Sequence, residues 1–346
     1  MIVKAYRHML KFSIIIPYYN ADKWIGRMLD SLLKQDISRD EYEIIVVDDG
    51  SKDEPVVLKD YVQLYPNIYY VCQENAGPAT ARNTGIAMAK GEYIFFCDSD
   101  DYISENVLGG LYNTAHRQKM DILFHNVITV YENEKIINPV MDFDKLTVYN
   151  NGQDYLGEPV ARIRTSVWQF IIKNDLINRA GLAFPSNWIM NEDSSFFIDA
   201  ILSAGKVGKV DVDVYYYVQN SQSILHSSGK KKQADKFVNN ILMFVSKLTN
   251  IIEDKDVVGS ILGSCLDNLI LLRNAKGAFA VFVSSRYLSS SKVKTLFSEL
   301  ETQSVYPFMI EGKHKMRLRL MNMRYLWLLF CYVINLLPLK IRYRLL

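Results

Sequence analysis

The chain has four cysteines in 346 residues (Cys72, Cys97, Cys265 and Cys331), and no two of them form a Cys-x-x-Cys pair. That scatter argues against a disulfide framework or a zinc site and fits a reducing compartment. The opening MIVKAYRHMLK holds no apolar stretch ahead of a cleavage site, so no secretion leader is expected. Apolar runs of the roughly 18–20 residues needed to span a bilayer are also lacking. Between Arg324 and Lys340 lie only fifteen uncharged residues, YLWLLFCYVINLLPL, and they include Asn335 and Pro338.

What is present is a globular composition, 49% hydrophobic and 23% charged, long enough for more than one module. Tyrosine is abundant, at 22 residues. The net charge of +2 is unevenly placed. Residues 313–346 carry eight Lys and Arg and no acid, which leaves a formal −6 on the rest. A mildly acidic body with a basic, aromatic tail suggests an anionic partner for that tail, such as a membrane surface. The competing reading packs the tail as a helix on the protein's own core or on a homodimer partner.

Along the chain, strand-like and helix-like segments alternate. FSIIIP (12–17) is an apolar run, and Trp24, Ile25, Met28, Leu29, Leu32 and Leu33 then recur at helical spacing, with Asn20 placed to cap the start. EIIVV (43–47), IYYVC (68–72), EYIFFC (92–97) and DILFHN (121–126) read as further strands, with helices over 54–65, 79–90 and 104–118. The pattern predicts a parallel α/β sheet covered on both faces. Pattern regularity weakens after residue 127. Another strand is expected over 206–218, after a loop entering a helix at NEDSSFF, and 235–300 reads mostly as helix.

The polar clusters fall at the carboxyl ends of the strands, where such sheets bind ligands. They are Pro17–Asn20, Asp48–Ser51, Asn75–Gly77 and Asp98–Asp101. Three carboxylates crowd into DSDD, and Asp-x-Asp can share a hard divalent cation that also meets substrate phosphates. A solvated turn capping a helix is the plain alternative. Asp48 and Asp49 can accept from a nucleobase or ribose, or cap the next helix. Gly77 and Gly85 allow close approach. Arg82 suits a phosphate or an aspartate, or it pins two loops.

Taken together, SIIIPYYNADKWIGRMLDSLLKQ, YEIIVVDDGSKD, ENAGPATARNTGIAMAKGEYIFFCDSDD and NEDSSFF resemble glycosyltransferase family 2, over roughly residues 11–200. The resemblance implies a GT-A fold, a mixed α/β sheet flanked by helices, with a mostly helical C-terminal extension. It implies a nucleoside-diphosphate sugar across the strand ends, with Asp49 on the base and Asp48 in support. Pro17, Tyr19, Asn20, Asn75 and Arg82 would shape the same cleft. Asp98 and Ser99 would lie near the ribose, and Asp98 and Asp100 on Mg²⁺ or Mn²⁺ and the diphosphate. Asp101 is left as support or a helix cap. Glu192-Asp193 matches the acceptor-side pair, which makes Asp193 the expected catalytic base. His226 could touch the metal or diphosphate, and Trp188 could stack on the acceptor.

Two departures from the family matter. The Gln-x-x-Arg-Trp motif of processive synthases is absent, which favours one sugar per encounter. A histidine expected soon after the tyrosine-rich strand is replaced by Asn220, with His226 slightly later. The expected organisation is a catalytic domain over 1–225 (donor half 11–127, acceptor half 128–225), a helical extension over 226–312 and a membrane-associating tail over 313–346. The expected activity is inverting, metal-dependent transfer of one sugar, from a UDP-sugar to a glycan or lipid-linked acceptor. Capsule, exopolysaccharide or O-antigen assembly at the inner, cytoplasmic face of a bacterial membrane is the expected setting, and no nucleic-acid partner is expected. A sugar-nucleotide pyrophosphorylase would want a Gly-rich, basic loop after the first strand, which PYYNADKW lacks. A non-catalytic partner subunit would not need Asp98, Asp100 and Asp193 intact.

Overall fold

The computed structural model describes residues 10–131, 139–156, 165–186, 188, 192–219 and 243. The chain divides into two compact units. The first comprises Met1–Tyr155, Ser166–Ser186 and Glu192–Gln219 and holds nearly all of the described residues. The predicted extension over 226–312, the tail over 313–346 and His226 lie outside the described residues, Met243 excepted.

The first unit opens with β1 (Phe12–Tyr18), α1 (Asp22–Leu33), β2 (Tyr42–Asp48), α2 (Val56–Leu64), β3 (Ile68–Cys72), α3 (Pro78–Met88) and β4 (Tyr93–Phe96). β1 pairs in parallel with β2 and β4, and β2 pairs in parallel with β3. β1, β2 and β4 are apolar runs covered on both faces, whereas β3 lies at the sheet edge and is partly exposed. Every residue of β2 and β4 is buried. The helical spacing read in the sequence is real: α1 buries Ile25, Met28, Leu29 and Leu32 against the sheet.

After β4 come β5 (Tyr102–Ile103), α4 (Leu108–Gln118), β6 (Ile122–Tyr131), β7 (Met141–Tyr149) and α5 (Gly152–Leu156). They are followed by β8 (Phe170–Lys173), α6 (Asn174–Ala180), α7 (Glu192–Ser203) and β9 (Val207–Gln219). Here the simple parallel expectation is corrected. β8 inserts antiparallel between β4 and β6, β9 runs parallel to β6, and β5 and β7 pair antiparallel with β9. Among the described residues the sheet order is β3-β2-β1-β4-β8-β6-β9-β5, with β7 beside β9. The mixed sheet is the GT-A arrangement.

The close approach expected of two glycines is found at Gly85 and not at Gly77. A Cβ at Gly85 would lie 2.4 Å from Ile15 Cγ2, so α3 packs on β1 through a bare backbone. Gly77 has open space but a φ of +90°, so conformation is what it contributes to the turn ahead of α3.

Candidate active site

The carboxyl ends of β1 and β2 are joined by short polar links. Asn20 does not cap α1. Its backbone takes a φ of +48°, its side-chain oxygen accepts the Lys52 N–H at 2.9 Å, and its own N–H donates to Ser51 Oγ at 2.9 Å. Pro17 is half-buried in β1, and Tyr19 is exposed beside Asn20. The cap of α2 comes from α1, where Asp22 accepts the Val57 and Leu58 N–H groups.

Asp48 and Asp49 are both buried, and neither caps α2. Asp48 accepts from Ser51 N at 2.8 Å and from the Tyr70 hydroxyl at 2.9 Å. Burial and this bond to Asp48 push the Tyr70 phenol up. Asp49 accepts from Gln73 Nε2 and Ala76 N through Oδ1 and from Gly77 N through Oδ2, all within 2.8 Å. Asn75 Nδ2 donates to the Asp49 carbonyl at 2.8 Å. Asp49 therefore organises the Asn75–Gly77 loop. A carboxylate offers about four lone-pair sites, so one remains for a further donor such as a base N–H.

The acid turn after β4 divides its carboxylates by burial. Asp98, Ser99 and Asp100 are half-buried, whereas Asp101 is fully buried. Asp101 Oδ2 accepts the Tyr215 hydroxyl at 2.7 Å, and Oδ1 accepts Val218 N at 2.8 Å. The Tyr215 oxygen in turn accepts Asp98 N–H at 2.9 Å. Burial and the charges of Asp100 and Asp98 push the Asp101 carboxyl well above the usual range. The helix-cap expectation for Asp101 is corrected, since α4 begins at Leu108 behind Val107. Asp101 ties the turn to β9, and Trp168 stacks on Tyr215 with ring centres 5.1 Å apart.

Arg82, from α3, joins this turn to α7. Its Nη2 donates to Asp98 Oδ1 at 2.9 Å and its Nη1 to Asp193 Oδ1 at 2.8 Å, with Glu192 Oε1 at 3.5 Å. The guanidinium is 4% exposed and lies 5.5 Å from the Phe184 ring centre. Asn83 bonds Phe184 through both its backbone N–H and its carbonyl, at 2.8 Å each. Of the options the sequence left open for Arg82, the aspartate partner is what forms, and it spans two distant segments.

Burial pushes the Asp193 carboxyl up to about 6, with Arg82 opposing and Asp98 adding to the rise. Glu192 is pushed up to about 7, by burial and the charge of Asp193. Asp100 is pushed up to about 6 by burial and by Asp98. A cation shared by Asp98 and Asp100 would relieve the repulsion between them. Their oxygen-only donor set fits Mg²⁺ or Mn²⁺, which need few protein ligands when water and phosphates complete the shell. Among the described residues no three His, Cys, Asp or Glu side chains form an all-protein cage.

Trp188 is half-buried and belongs to the second unit. Sequence reasoning missed Tyr70, Gln73 and Tyr215, which hold Asp48, Asp49 and Asp101. Their signal lies in strand register, because β3 ends opposite Asp48, and spacing along the chain does not reveal it.

Acids gathered at the strand ends of a mixed sheet, with an Asp-x-Asp turn tied to a Glu-Asp helix start, define a nucleotide-sugar glycosyltransferase framework. The chain belongs to glycosyl transferase family 2, whose sequence model matches residues 13–194. It is 32% identical over 217 residues to the uncharacterized glycosyltransferase EpsJ of Bacillus subtilis, covering 61% of this chain and 62% of that protein. It is 33% identical over 221 residues to a poly(ribitol-phosphate) beta-glucosyltransferase of Bacillus spizizenii, covering 61% of this chain and 32% of that protein. The matched region thus spans from just under a third to just under two thirds of these relatives. The crystal structure of Staphylococcus aureus TarS 1-349 in complex with UDP-GlcNAc aligns at a TM-score of 0.65 and 21% identity. That alignment covers 92% of this chain and 90% of that one, and it shows the shared fold.

Proposed function

We propose that this protein is an inverting, metal-dependent glycosyltransferase that moves one sugar from a UDP-sugar to a glycan or lipid-linked acceptor in cell-surface polysaccharide assembly. The observation that carries the reading is the Arg82 tie between Asp98 and Asp193. It brings an expected donor-side acid and an expected base to one cleft. Relatives named for work on poly(ribitol-phosphate) support the cell-surface setting.

Asp193 takes the proton of the acceptor hydroxyl as that oxygen attacks the anomeric carbon. Such base catalysis is worth about 10²–10⁴ in rate. A carboxyl raised to about 6 is still ionised at neutral pH and is more basic than an ordinary aspartate. Arg82 helps to fix the orientation of Asp193. Asp48 and Asp49 hold the nucleoside end of the donor, with Pro17, Tyr19, Asn20 and Asn75 shaping its walls. Asp98 and Asp100 would hold a divalent cation, and that ion would supply positive charge to offset the departing diphosphate. One displacement from the face opposite the leaving group inverts the anomeric centre.

The test is a panel of nucleotide sugars assayed with Mn²⁺ or Mg²⁺ for transfer, hydrolysis and thermal stabilisation. Asp193→Asn is expected to abolish transfer and to keep UDP binding; full turnover in that variant would remove Asp193 as the base.

A further inference from the structure

The chain that follows the Asp98–Asp101 turn is laced to α1 and to the residues just after it by three side chains. Arg27 and Ser31 lie four residues apart on one face of α1, and Gln35 follows just beyond its last residue, Leu33. Arg27 Nη2 donates to the Asp100 carbonyl. Ser31 Oγ accepts Ile103 N at 3.1 Å. Gln35 donates to the Ser104 carbonyl at 2.8 Å, and its oxygen accepts Val107 N at 3.0 Å and Leu108 N at 3.2 Å. The first helix and the residues that follow it therefore splint the segment that carries the metal-type motif, over residues 100–108.

Arg27 stands at the end of that splint nearest the acids, and it is the one charged member of the three. Its guanidinium lies over the Tyr102 ring, 5.6 Å from the centre, and Tyr102 stacks on Tyr216 of β9 at 4.7 Å. A planar group held by a ring on one side and a carbonyl on the other has little freedom. The backbone on either side of the Asp100 side chain is fixed in consequence.

We propose that Arg27 is a positioning residue for Asp100, which holds the Asp100 backbone so that its carboxylate meets a divalent cation and the donor diphosphate. This rests on the donor-site reading given above. Family motifs leave Arg27 unassigned, and it was not among the sequence-predicted site residues.

The experiment measures binding of Mn²⁺ alone, by electron paramagnetic resonance, and of UDP with Mn²⁺, by calorimetry. It uses the full chain and the variants Arg27→Met, Arg27→Lys and Lys34→Ala. A hydrogen bond from a charged donor is worth enough that Arg27→Met should weaken both by about tenfold. Arg27→Lys, which keeps a donor and a charge, should recover most of the loss. Lys34→Ala, which removes only the exposed pair with Glu105, should bind as the wild type does. Thermal midpoints for Arg27→Met and Arg27→Lys within a few degrees of each other would show that fold stability does not account for the difference. Equal Mn²⁺ affinity in wild type and Arg27→Met overturns the inference and leaves the donor reading standing. Wild type that binds no Mn²⁺ overturns the inference together with the metal assignment. Wild type that binds Mn²⁺ but gains nothing from UDP overturns the choice of nucleotide; the Mn²⁺-only comparison still decides the role of Arg27.

Discussion

Arg82 places one positive charge among three carboxylates, and the pH dependence of the reaction should report it. The Asp193 carboxyl lies at about 6, so kcat/KM is expected to fall as pH drops through about 6, where the base becomes protonated. The Arg82 charge favours the ionised form of Asp193. Arg82→Gln should therefore move the acid limb to higher pH and lower the plateau, as checked by rate–pH profiles of both proteins. Asp101 gives a different expectation. Its buried carboxylate holds the Tyr215 hydroxyl and the Val218 N–H, and stranding buried donors costs about 1–3 kcal/mol each. Asp101→Ala should show a clear drop in thermal midpoint, whereas Ser99→Ala, beside it and half-buried, should show little.

The elements of the donor half were legible because they follow one local rule. Runs such as YEIIVVD and YIFF are buried at every residue, and their ends coincide with polar clusters. The acceptor half was harder to read because β8 has four residues and β7 is largely exposed, so neither gives a strong periodic signal. Site acids were visible from their motif spacing. Their partners Tyr70, Gln73 and Tyr215 were not, since each is set by pairing between strands distant in sequence. Close packing between elements gives a further test. A Cβ at Gly91 would lie 2.3 Å from the Phe12 backbone carbon, and one at Gly85 2.4 Å from the Ile15 side chain. Both alanine substitutions should destabilise by about 1–3 kcal/mol or more, with Gly91→Ala worse because backbone yields less than a side chain. Chemical denaturation would rank them.

For the whole molecule, charge asymmetry is the feature with the largest reach. Residues 313–346 carry eight Lys and Arg and no acid, against a net −6 elsewhere. Anionic lipids attract each such residue at about 1 kcal/mol near the surface. The full chain is expected to float with anionic liposomes and to be released by salt, and truncation after Gly312 should abolish flotation. Unchanged flotation of the truncated chain would remove the tail as the anchor.

The insertion of β8 also bears on how this protein is made. β4 and β6 do not pair with each other; each pairs with β8, which follows both in the chain. A nascent chain that has exposed β1 to β6 therefore carries an open edge on β4 and two on β6, which also pairs with β9, and it cannot complete its sheet until Gln219 has emerged. Edges of that kind are templates for wrong partners. The ordering places the period of greatest aggregation risk during synthesis of residues 132–219. Translation speed or chaperone supply over that stretch should govern the yield of active protein.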